Sequence, residues 1–149
     1  MLDSLIQNTK DKTKNQMKTL TQTILPRIAM YKVLLAENIT EEASYEYIRK
    51  YMMEKVPGFY GIYSKIFLKF MKKTDLQEST QKKEKTSFDV TITKCLWHTA
   101  CVENGCATLC RLFCDVDDVT YGNLKKLGFS RTKTLGYGGD CCDFHFFKK

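Results

Sequence analysis

The stretch Ser87-Phe88-Asp89-Val90-Thr91-Ile92-Thr93-Lys94-Cys95-Leu96 is where the pattern of this chain changes. Phe88, Val90 and Ile92 alternate with polar residues, the two-residue period of a strand that buries one face. Upstream the period is different. Leu20, Ile24, Ile28, Tyr31 and Leu35 step by three and four, as on one face of a helix, and Pro26 predicts a kink or a start within it. Thr40 followed by Glu41 and Glu42 is a helix start, a capping hydroxyl with acids behind it. That second helix runs to about Lys55 and places Ala43, Tyr47, Ile48, Tyr51 and Met52 toward the core. Pro57-Gly58 ends it, and a third helix covers about 59–73 with Tyr63, Ile66, Phe67 and Phe70 on one side. Residues 1–18 are polar and Lys-rich, either a helix or a frayed end. Residues 74–85 have no apolar periodicity and read as a linker.

Downstream of the strand, residues 103–114 and 117–127 read as two short helices. Phe129 to Leu135 and Cys142 to Phe147 read as two strands joined by a Gly136–Asp140 turn. Helices first, then strands with short helices between them, predict an α+β fold: an antiparallel sheet with helices packed on it. The expected organisation is a single domain over 1–149, with a helical part (1–73), a linker (74–85) and a Cys-rich α+β part (86–149).

The 149 residues are enough to bury a core. The net charge is +7, and the excess lies in residues 1–85, where sixteen Lys and Arg face ten Asp and Glu. Residues 86–149 are near balance, eight against seven. The basic residues are interleaved with acids rather than clustered on one element, and there is no nucleic-acid motif, so a solvated face is expected rather than a phosphate-tracking groove. No apolar run reaches signal-peptide or membrane-spanning length, which predicts a cytoplasmic protein with no membrane partner. Seven cysteines in a reducing compartment are then expected to be free, reactive or metal-bound. A small-molecule substrate is the expected partner, and a homo-oligomer stays open.

All seven cysteines lie between Cys95 and Cys142. Cys106, Cys110 and Cys114 step by four, which would align them along one helix face. With His98 or Cys101 they could bind zinc or an iron–sulfur cluster, supply a reactive thiol, or simply pack against the sheet. Zinc, iron and no metal all stay open. His98 follows the first strand, and with Glu103 it could form a general-base pair, while Glu103 and Asn104 could equally cap the next helix. Asp115, Asp117 and Asp118 could bind a cation, act as bases or cap a helix start. Arg131, in a strand, is costly to bury without a partner. It could clamp a carboxylate or pair with Asp140 or Asp143 across the hairpin.

The run Phe129-Ser130-Arg131-Thr132-Lys133-Thr134-Leu135, followed by Gly138-Gly139-Asp140-Cys141-Cys142-Asp143-Phe144, resembles the L-2-amino-thiazoline-4-carboxylic acid hydrolase family. The likeness covers roughly 86–147, and Pro26-Arg27-Ile28-Ala29 and Ile48-Arg49-Lys50-Tyr51 extend it into the helical part. One departure is His145, where the family pattern carries Arg. The same C-terminal pattern is similar in outline to small-ligand domains of the 4-vinyl-reductase type, which implies a non-catalytic small-ligand or metal-binding alternative. The hydrolase resemblance implies opening of a cyclic C–N/C–S centre to an N-carbamoyl-cysteine-type product. It implies a base (His98 or Glu103), a carboxylate anchor (Arg131) and orienting acids (Asp140 or Asp143). Cys110, Cys114 and Cys142 would act as nucleophile, proton donor or metal ligand, and Thr134, Gly138 and Gly139 would lie with the substrate.

Overall fold

The three- and four-residue spacing of the first third closes into helices in a computed structural model, which describes residues 1–54 and 74–149. The helix expected at 59–73 and its Pro57-Gly58 boundary lie outside the described residues. Helix α1 spans Leu2–Asn8 and α2 spans Lys14–Thr19, the latter opened by a capping box between Thr13 and Gln16. The N-terminus is docked rather than frayed. Leu5 is buried, Asn15 Nδ2 donates to Asp75 Oδ1 at 2.6 Å, and Gln16 Nε2 donates to the Asp75 carbonyl at 2.8 Å.

Pro26 leaves the signature expected of it. Leu20–Ile24 form a π-turn between α2 and α3 (Leu25–Ala36), and Pro26 sits in the first turn of α3. Proline has no N–H to give the Gln22 carbonyl, and Arg27 Nη1 donates to that oxygen instead, at 3.1 Å. The predicted stripe is largely buried: Leu20, Ile24, Ile28 and Tyr31. Helix α4 covers Glu41–Glu54, but its inner face is rotated from the expected one. Ser44 and Ile48, one turn apart, are the buried pair, and Tyr47 is 61% exposed. With three tyrosines and two methionines in fourteen residues, aromatic spacing alone could not fix the rotation.

The sheet has four antiparallel strands in the order β1-β2-β4-β3: β1 Gln77–Lys83, β2 Ser87–Cys95, β3 Leu127–Ser130 and β4 Cys142–Lys148. Strand β1 corrects the linker reading of 74–85. It has no apolar face to announce it, and is held by its ladder to β2 as a polar, Lys-bearing edge. Between β2 and β3 lie α5 (Leu96–Glu103) and α6 (Cys110–Gly122). The expected helices at 103–114 and 117–127 are therefore one continuous helix, with the break earlier, at Asn104-Gly105. Strand β3 ends at Ser130 instead of Leu135. The link to β4 is a long loop containing a 3₁₀ turn at Leu135–Tyr137, closed by Gly138 at φ +85°, not a tight hairpin.

Phe88, Val90, Ile92, Cys142, Phe144 and Phe146 form the buried face of the sheet, with Asp89, His145 and Asp143 on the other. Helix α6 lays Tyr121 on that inner face, with edge-on contacts to Phe129, Phe144 and Phe146 at 5.1, 5.8 and 5.5 Å. A second apolar cluster joins the N-terminal helices to α5 and α6 through Leu20, Ile24, Ile28, Ile48, Leu109 and Leu112. No helix among the described residues is long and apolar enough to cross a membrane.

Candidate active site

A cavity of about 260 Å³ opens at the seam between the two clusters. Ile92, Cys142 and Phe144 of the sheet form one wall, and Cys110, Phe113, Cys114, Asp117 and Tyr121 of α6 form another. Cys95, Trp97 and Leu76 also line it. The four-residue spacing of Cys110 and Cys114 puts both thiols on the inner side of α6, and Asp117 follows one turn on.

Asp117 is the one carboxylate on this wall among the described residues. It is half-buried and lines the cavity. Burial pushes its carboxyl up to about 7, with Arg131 acting against the shift and Asp118 adding to it. The Arg131 side chain is 10% exposed and tied by Nη2 to Asp118 Oδ2 at 2.6 Å, while its buried Nη1 has no partner among the described residues. Arg131 is not one of the residues that line the cavity, but its charge acts on three that do, Asp117, Tyr121 and Cys142. The pairing of Arg131 with Asp140 or Asp143 is thus corrected. Asp140 pairs with Lys133 at 2.6 Å. Asp143 accepts from the backbone N–H groups of Thr132 and Lys133, at 2.9 and 2.8 Å, and from the Thr132 hydroxyl. It fixes the 131–133 loop that carries Arg131.

The acid cluster of α6 is divided in three directions. Asp115 accepts from the Tyr137 hydroxyl at 2.6 Å and lies 3.9 Å from Arg49 Nε, linking α6 to α4 and the 3₁₀ turn. Asp118 holds Arg131, and Asp117 faces the cavity. None caps a helix start, because all three lie inside α6. The helix tolerates them since two have tertiary partners that compete with local backbone bonding.

The thiols on the cavity are protonated at neutral pH. Burial pushes Cys95 up to about 12 and Cys142 up to about 11, the latter opposed by the Leu135 N–H that reaches its sulfur at 3.4 Å. Cys114, Cys110, Cys101 and Cys106 neighbour one another in a row that begins beside Thr134. Interaction with the adjacent thiols raises Cys114, Cys110 and Cys101 and lowers Cys106. Gly136 packs against the row so closely that a Cβ there would lie 2.7 Å from Cys114 Sγ.

A row is not a coordination shell. Among the described residues no group of three or more His, Cys, Asp or Glu converges to hold a metal ion. The set Cys106, Cys110, Cys114 and His98 is not assembled, because Cys106 precedes α6 and His98 lies on α5. His98 and Glu103 do not line the cavity. Glu103 is 55% exposed and its carboxylate lies 3.7 Å from Lys12 Nζ, and His98 and Glu103 both belong to α5, whose end Glu103 forms. Thr134 is buried beside Cys114, and Gly138 and Gly139 shape the loop after the 3₁₀ turn. Asp117 was visible in the sequence only as one of three nearby acids. Its distinguishing signal was its position three residues after Cys114 on an inward helix face, legible only once the helix boundary was known.

Fold and cavity define the class first: an α+β protein whose helix α6 and sheet enclose a cysteine-walled cavity of small-molecule size. Within that class the chain belongs to the L-2-amino-thiazoline-4-carboxylic acid hydrolase family, whose pattern matches residues 14–146. This supports a hydrolase-type function at the level of the family. No curated protein and no solved structure matched the chain.

Proposed function

We propose that the protein hydrolyses a small, carboxylate-bearing cyclic amidine of the 2-aminothiazoline type to an N-carbamoyl-cysteine-type product. The observation that carries this reading is the cavity. It gathers protonated thiols and a carboxyl on a largely apolar wall, on which the charge of Arg131 acts, and Arg131 keeps a buried Nη1 with no partner among the described residues. A buried guanidinium donor without a partner is costly, and a substrate carboxylate satisfies it with a charge-assisted bond. The surrounding apolar wall fits a five-membered ring and excludes bulk water, which strengthens that bond. With the cavity thiols protonated, water is the nucleophile of this reading. The cysteines shape the wall, and Asp143 acts by holding the Arg131 loop. The base role of His98 or Glu103 has no support from the cavity wall.

Incubation of the purified protein with 2-aminothiazoline-4-carboxylate tests the reading. Ring opening frees one thiol per turnover, followed with a disulfide reagent, and the product gains the mass of one water. Saturable binding of the compound with no thiol release would refute the hydrolase and leave a small-ligand-binding protein.

A further inference from the structure

The cavity must move a proton in both directions during such a ring opening, and its wall offers one group placed to do so. We propose that Asp117 is the proton-transfer residue of this site, taking a proton from the water that adds to the amidine carbon and passing it to the departing ring sulfur. The proposal rests on the hydrolase reading above.

With the ring nitrogen protonated, the water oxygen bonds to the amidine carbon as one water proton passes to the Asp117 carboxylate, and the C=N electron pair settles on nitrogen. The carbon–sulfur bond then breaks, its electron pair leaving on sulfur, which takes the proton back from Asp117. The remaining hydroxyl proton goes to solvent as the urea carbonyl forms. The ring gains one water, and nothing is oxidised or reduced.

Three features select Asp117. It lines the cavity, and it has no hydrogen-bond partner among the described residues to hold it in one state. Among the described residues, the other groups on this wall do not take a proton at neutral pH. Cys95 and Cys142, on β2 and β4, are thiols held well above neutrality by burial, Cys114 on α6 is raised by its neighbour Cys110 and by burial, and Tyr121 is held high by burial. Arg131 and Asp118 set opposing charges beside it, and Arg131 is already engaged by Asp118. A carboxyl balanced in this way, near neutrality, serves as both base and acid.

The test compares wild type with Asp117→Asn and Asp117→Glu on the same ring substrate, alongside a ¹³C-carboxyl NMR titration of ligand-free wild type. Asp117→Asn is expected to lose about 10²–10⁴-fold in kcat with KM nearly unchanged. The wild-type limb of the kcat–pH profile near 7 should vanish in this variant, and Asp117→Glu should recover part of the rate. If wild type turns over and Asp117→Asn keeps most of its kcat with the same profile, the role of Asp117 is refuted and the hydrolase stands. If wild type does not open the ring, the hydrolase reading fails and takes this inference with it. An Asp117 carboxyl titrating near 4 in the ligand-free protein also refutes the role, without reliance on any variant.

Discussion

Replacing Asp117 by Asn should stabilise the fold, and by more as pH rises. Burial raises the Asp117 carboxyl from 3.8 to about 7, so the folded state holds its proton more tightly than the unfolded state does. Between those values, raising the pH ionises the unfolded chain first and draws the equilibrium toward it. Above about 7 both states are ionised and the effect levels off. At roughly 1.4 kcal/mol per pH unit, the wild-type penalty is about 2 kcal/mol at pH 5 and about 4 kcal/mol at pH 9. Asparagine keeps the shape and cannot ionise, so it removes the penalty, although its own amide adds a pH-independent cost of burial. That cost cancels in the difference between the two pH values. Urea denaturation of both proteins should show the stability of Asp117→Asn relative to wild type growing by about 2–3 kcal/mol from pH 5 to pH 9. A gap that is the same at both pH values would show that Asp117 titrates as an ordinary carboxylate and is not shut into the cavity.

Arg131→Ala should raise KM for a carboxylate-bearing ring by about 10–100-fold, the worth of one charge-assisted bond, and an unchanged KM would remove Arg131 as the anchor. Gly136→Ala should cost about 1–3 kcal/mol by overpacking, because its Cβ would lie 2.7 Å from Cys114 Sγ and 3.2 Å from Cys110 Sγ. Cys114→Ala in the same chain should recover part of that loss, and purely additive melts would show that the two sites do not touch. A disulfide reagent at pH 8 should find fewer than two fast thiols in the native protein and all seven after denaturation under reducing conditions. Rapid labelling of Cys95 or Cys142 would contradict their burial-raised thiols.

The α+β order was legible in the sequence because two of its periods are strong. Phe88, Val90 and Ile92 bury one strand face, and Leu20, Ile24, Ile28 and Tyr31 bury one helix face. Pro26 and the capping hydroxyl at Thr40 act locally, so their effects needed no tertiary context. The family motif was legible for the same reason, since it is a matter of residue order. Strand β1 was not, because Gln77–Lys83 bury no apolar face and pair only when β2 supplies a ladder. Nor was the Arg131 partner. Asp118, Asp140 and Asp143 are equivalent on paper, and only the packing of α6 against β3 brings Asp118 within 2.6 Å. The site shows the limit most clearly. The sequence by itself determined that cysteines, acids and Arg131 cluster towards the C-terminal end. Only the tertiary structure decided that Asp117 faces a cavity while Asp115 and Asp118 face partners, because the ionisation of a carboxyl depends on the solvent and charges that surround it, and those come from α6, β2, β4 and the Arg131 loop together.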